Sequence, residues 1–163
     1  MTDENARRLV EEALQRIPHV EHLRVGAVVP FSSDRWAVRI EHKDGKLRTN
    51  ISFGYEAGGE PESGELEFRS RAQVELQKYL KLCPLCQRES YVHRVDPMAV
   101  SLFVSCPSCG EYEISGADID ELRIGVAVEN REIVEALPRL VEFVHTGSGT
   151  VRIDGWRAIA RKE

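Results

Sequence analysis

All four cysteines of the 163-residue chain lie in one stretch, in which CPLC at 83–86 and CPSC at 106–109 are separated by nineteen residues. This is metal-ligand spacing. Two residues between cysteines let one tight turn aim both sulfurs at a single ion, while the N–H groups of the turn offset thiolate charge. Cys83, Cys86, Cys106 and Cys109 are therefore candidate ligands of one zinc ion per chain. The proline after the first cysteine of each pair fixes φ ahead of the turn, and Gly110 tolerates the positive φ with which the second turn ends. Iron is chemically possible in such a four-sulfur site. A dithiol redox pair fits less well, because thioredoxin-like chemistry needs one C-x-x-C at a helix start in a βαβ setting. A catalytic zinc keeps an open coordination position, whereas four thiolates close it, so the predicted metal is structural. In modules of this size such an ion contributes on the order of 10 kcal/mol to folding.

Between the pairs, SYVHRV and AVSLFVS flank an Asp-Pro turn, which predicts a β-hairpin and hence the order C-x-x-C, hairpin, C-x-x-C. The run CPSCGEYEIS, with CPLC upstream, resembles the Cys-Pro-x-Cys-Gly zinc ribbons of many small, mostly uncharacterised prokaryotic proteins. The resemblance covers 83–116. It implies that the four cysteines are the ligands and that Gly110, Tyr112 and Ile114 belong to the strand leaving the second knuckle. Gln87 stands where a glycine is frequent in the first knuckle, which implies a different exit turn there. The resemblance implies a metal and no reaction.

Other residue types offer weaker chemistry. Asp34 with Glu41-His-Lys43 is a degenerate form of the D…ExK arrangement that holds Mg²⁺ in metal-dependent nucleases, the alternative function. Seven residues along one strand separate the two carboxylates by about 23 Å, too far to share an ion. Arg35, Arg39, Lys43, Lys46 and Arg48, with Trp36 nearby, are possible nucleic-acid-binding residues, and so are Arg157 and Arg161 beside Trp156 in the last segment. The opposing expectation is a solvated sheet face with Trp36 in the core, and a terminal helix docked by Trp156 and Ile159. His93 reads as a packing or surface residue.

The formal net charge of −5 argues against a uniformly basic, DNA-coating surface. Its distribution is uneven. Residues 31–54 carry five Lys/Arg against three Asp/Glu, and 69–82 carry four against one, whereas 111–136 carry eight acids and two arginines. An anionic partner would have to meet a local basic face. No window reaches eighteen uninterrupted apolar residues, and MTDENARR is acidic and polar, so the sequence predicts neither a membrane span nor a secretory signal. With four cysteines at metal spacing, this predicts a reducing, cytoplasmic location.

The elements that must position these residues follow from periodicity. Ala6, Leu9, Val10, Ala13, Leu14 and Ile17 form one stripe of a helix over 3–17 that Asp3 would cap. Alternation predicts strands at 22–30, 35–42 and 47–54, the last two joined at Asp44-Gly45. The stretch YEAGGEPESGELE reads as a solvated loop, and Ser70 with Gln73 as the capping box of a second helix. Beyond the cysteines, Ser115 and Asp118 predict a capped helix, Pro138 a break or kink in the helical pattern, TVRI a short strand, and Asp154 the cap of a last helix. The predicted class is α+β, in three parts: an α+β layer over 1–82, a zinc ribbon over 83–116, and a helical tail over 117–163 packing on the ribbon. As a function this predicts a non-enzymatic interaction adaptor for nucleic acid or protein, with the zinc structural.

Overall fold

The computed structural model describes residues 1–56, 61–94 and 96–162. The chain is α+β and forms two compact units, Met1–Leu80 and Lys81–Glu163.

In the first unit, α1 (Asp3–Gln15) is followed by β1 (Leu23–Ser32), β2 (Arg35–His42), β3 (Leu47–Gly54) and α2 (Pro61–Tyr79). The three strands form an antiparallel sheet in chain order. Thr2, one residue before the expected Asp3, caps α1, its hydroxyl accepting from Asn5 N at 3.1 Å. Trp36, Val38 and Ile40 alternate inward with Ile51 and Phe53, while Ala6, Leu9, Val10 and Ala13 are the buried stripe of α1. Phe68 of α2 meets Trp36, Phe53 and Tyr55 in edge-to-face arrangements at ring separations of 5.7, 5.2 and 5.2 Å. Burying each such side chain stabilises the fold by roughly 1.5–3 kcal/mol.

The helix α2 begins earlier than its composition predicts. Ala57–Glu60 of the expected loop lie outside the described residues, but the helix runs from Pro61, and Ser70 sits in its interior instead of capping it. Proline suits a first helical turn, where the N–H has no intrahelical partner. Gly64 permits the approach of Tyr55, whose hydroxyl would lie 2.5 Å from any Cβ added there.

The second unit holds β4 (Tyr91–Arg94), β5 (Ser101–Cys106), β6 (Gly110–Ser115), α3 (Gly116–Ala127), α4 (Arg131–Thr146), β7 (Val151–Ile153) and α5 (Trp156–Ala160). Its sheet has the order β4-β5-β6-β7; the first three strands are antiparallel and β7 runs parallel to β6. A parallel return needs a long crossover, and α3 and α4 supply it. One core contains three of the cysteines with Val104, Tyr112, Ile119, Leu122, Leu140 and Trp156, so the knuckles and the helices that follow bury against each other.

Two details of this unit differ from the sequence pattern. Pro138 lies inside a continuous α4. Ile133, Ala136, Leu140 and Val144 bury a stripe on both sides of it, which outweighs the roughly 3 kcal/mol cost of an interior proline, and Pro138 itself faces outward. The helical pattern breaks earlier: Glu129 adopts φ 56, and the Asn130 side chain caps α4 by accepting from Ile133 N at 3.2 Å. Nor does Asp154 cap α5. Asp118 Oδ2 accepts from Gly155 N at 3.0 Å and from Trp156 N at 3.3 Å, so the carboxylate comes from the first turn of α3.

Candidate metal centre

The two knuckles meet. One ligand atom from each of Cys83, Cys86, Cys106 and Cys109 lies within 4.8 Å of every other, and among the described residues this is the one group of three or more His, Cys, Asp or Glu side chains able to hold a metal ion. The sulfurs of Cys86 and Cys106 are 3.4 Å apart and those of Cys83 and Cys109 are 4.0 Å apart. None of the four is in a disulfide. Cys83, Cys106 and Cys109 are buried, and Cys86 is partly exposed.

Local backbone geometry builds each knuckle. In the first, Gln87 N donates to Cys83 O and Cys83 N to Arg88 O, both at 2.8 Å, and the bridge between Leu82 and Glu89 closes the turn. In the second, Cys109 N donates to Cys106 Sγ at 3.3 Å, the turn-amide contact that offsets thiolate charge. Gln87 leaves the first knuckle at φ 62 and Gly110 leaves the second at φ 100. Both exits use positive φ, and the first accepts a side chain where glycine carries no steric cost.

The buried phenol of Tyr112 lies against this centre, its oxygen 2.9 Å from Cys83 Sγ. Tyr112 sits on β6, opposite Val104, on the inward side of the sheet. Burial, and then the charge of Cys83, push its ionisation well above the usual tyrosine range, so the phenol keeps its proton and can donate to a thiolate. Sequence reasoning assigned Tyr112 to a strand and missed this contact; its inward parity on β6, three residues after Cys109, was the available signal.

The thiols polarise one another unequally. Cys86 is pulled down to about 2, first by its contacts with Cys109 and Cys83, and Cys106 to about 6, first by its contact with Cys83. Cys83 is pushed far up, first by Cys106 and Cys109 and also by burial. Cys109 is drawn down by Cys83, its largest single influence, yet Cys86, burial and the neighbouring charges together carry it up to about 12. Without a cation the cluster thus holds both thiolates and thiols. Full deprotonation requires positive charge at its centre.

The other sequence-predicted residues divide between the two units. Arg35, Arg39, Lys43, Lys46 and Arg48 belong to the first unit, Arg157 and Arg161 to the second. Trp36 is buried, not displayed. Arg39 is occupied: with Arg24 it clamps the Glu41 carboxylate, each at 2.9 Å. Arg35 reaches Ser52 Oγ at 3.4 Å and Arg48 the Leu80 carbonyl at 3.4 Å. Lys43 and Lys46 flank the turn between β2 and β3, where Lys46 N donates to Asp44 Oδ1. Arg157 lies over the Trp156 ring at 4.5 Å and is held by Glu121 and Glu132, while Arg161 is exposed at the end of α5. Asp34 bonds Ser32 Oγ in the turn before β2, and Glu41 sits near that strand's far end, locked between two arginines.

No protein-family model matches this chain, and no curated protein or solved structure matches it either. Among the described residues, no helix is long and apolar enough to cross a membrane.

Proposed function

We propose that this is a zinc-ribbon protein in which one zinc ion, held by Cys83, Cys86, Cys106 and Cys109, is structural, and that the protein acts without catalysis as an interaction adaptor. The convergence of four sulfurs within 4.8 Å carries the reading. A tetrahedral ion about 2.3 Å from each sulfur sets neighbouring sulfurs about 3.8 Å apart; the 3.4 and 4.0 Å separations bracket that value. An all-thiolate, largely buried set favours zinc over hard cations such as Mg²⁺. Four protein ligands leave no position for a reacting water. Reduced thiols of this kind suit a cytoplasmic setting.

The role that follows for the metal is to tie the two knuckles, and with them β4–β6, to the core that α3, α4 and α5 complete. The partner is nucleic acid or protein, met through a local face. Elemental analysis of protein purified under reducing conditions tests the metal: one equivalent of zinc per chain is expected, reduced to a fraction by Cys106→Ser. Absence of stoichiometric metal from a folded chain would overturn the proposal.

A further inference from the structure

On the side of the second unit's sheet that faces away from its core, three rings adjoin, two along β4 and the third across from His93 on β5. The strand registers pair His93 with Phe103 across β4 and β5, and Tyr91 precedes His93 by two residues on the same face. Tyr91 and His93 have ring centroids 4.7 Å apart, and His93 and Phe103 5.2 Å apart. Tyr91 is 60% exposed. Their neighbours Val92 and Val104 point to the opposite side, where Val104 is fully buried. Strand alternation therefore separates the three rings from the core.

The charge around these rings is asymmetric. Lys81, Arg88 and Arg94 are exposed along the knuckle and edge strand that carry Tyr91 and His93, and none of the three takes part in an ion pair among the described residues. The bond from Ser90 N to Lys81 O, 3.0 Å, brings Lys81 to the foot of β4 beside Tyr91. On the far side of Phe103 the same cross-strand row continues through Glu113, with Glu111 two residues away on β6. A polyanion is attracted to the β4 margin and repelled from β6.

We infer that the outward face of β4 and β5 binds single-stranded nucleic acid, with bases stacking on Tyr91 and Phe103 and phosphates meeting Lys81, Arg88 and Arg94. This rests on the adaptor reading above and names its partner. An exposed Tyr91 next to the partly buried His93 and Phe103, beside a basic margin, suits unpaired bases, since every base offers a face to stack on and the cations track the backbone. A duplex hides its base faces, so it gains only the phosphate contacts. An acidic peptide would use the cations and leave the rings idle; the paired presence of both favours the nucleic acid.

Fluorescence anisotropy with labelled 12-mers of single-stranded RNA and DNA, on the zinc-loaded full chain, tests this. Binding is expected that weakens with added salt, exceeds that of the corresponding duplex, and falls about tenfold for Tyr91→Ala while Tyr91→Phe retains it. Arg94→Gln should reduce the salt slope with zinc content unchanged. An abasic oligonucleotide binding as tightly as the intact one overturns the stacking platform. So does failure of zinc-loaded protein to bind either oligonucleotide, as when a partner survives nuclease treatment, an outcome that leaves the adaptor reading standing for a protein ligand. Loss of stoichiometric zinc counts instead against the centre itself.

Discussion

The phenol oxygen of Tyr112 lies 2.9 Å from Sγ of Cys83, in a part of the core where neither residue is more than marginally exposed. A hydroxyl aimed at a ligand sulfur lowers the cost of placing negative charge there, and outer contacts of this kind typically change metal affinity 10- to 100-fold. Tyr112→Phe keeps the ring and its packing and removes only the donor. Zinc affinity should fall about tenfold, read by competition with a chromophoric chelator, with near-wild-type circular dichroism of the loaded protein. Unchanged affinity would mean that the contact is packing alone.

The unequal thiols dictate how affinity depends on pH. At pH 7 the metal-free cluster retains protons on Cys83 and Cys109, both pushed up, while Cys86 at about 2 and Cys106 at about 6 are thiolates. Zinc takes four thiolates, so its binding at neutral pH releases about two protons, and affinity rises about a hundredfold per pH unit. As pH falls through about 6, Cys106 gains a proton and the slope steepens toward three. Calorimetric titration in buffers of different ionisation enthalpy counts these protons. Release of four at pH 7 would show that the thiols do not share protons in this way.

The sites where sequence reasoning succeeded and failed have physical causes. Cysteine spacing and the alternation of Trp36, Val38 and Ile40 are local signals that survive into the fold, because a two-residue turn and a half-buried strand each set their own geometry. The start of α2 was hidden because Gly64 looks like a loop residue until Tyr55 is seen against it. Pro138 misled for the opposite reason: a local breaker was overruled by burial on both sides of it. The capping of α5 by Asp118, 37 residues before Gly155 in the sequence, has no local signature. The partnership of Arg39 with Arg24 around Glu41 depends on cross-strand register, which charge counted along the chain does not reveal.

That clamp bears directly on the nuclease alternative. The two carboxylates that would share an ion sit toward opposite ends of β2, and Glu41 packs against the Cα of Gly26, where an added Cβ would meet its carboxyl carbon at 2.8 Å. Glu41→Ala is expected to leave zinc content unchanged, and no Mg²⁺-dependent cleavage of single- or double-stranded substrate should be detectable before or after the change. Cleavage by the wild type that disappears with Glu41→Ala would reinstate the enzyme.

The exits of the two knuckles offer a paired test of backbone strain. Gln87 pays for a left-handed conformation that glycine adopts freely, and its side-chain Oε1 is buried without a hydrogen-bond partner. Gln87→Gly relieves the steric cost while adding freedom to the unfolded chain, and the net gain should be up to about 1 kcal/mol. Gly110 is the converse: at φ 100 any Cβ is strained, although the nearest atom it would meet, Val144 Cγ1 at 3.9 Å, leaves room for it. Gly110→Ala should therefore destabilise by about 1–2 kcal/mol through backbone strain, not through a clash. Thermal midpoints of the zinc-loaded variants, compared at equal free zinc, should move in opposite directions; a downward shift for both would show that Gln87 contributes more through its side chain than its backbone costs.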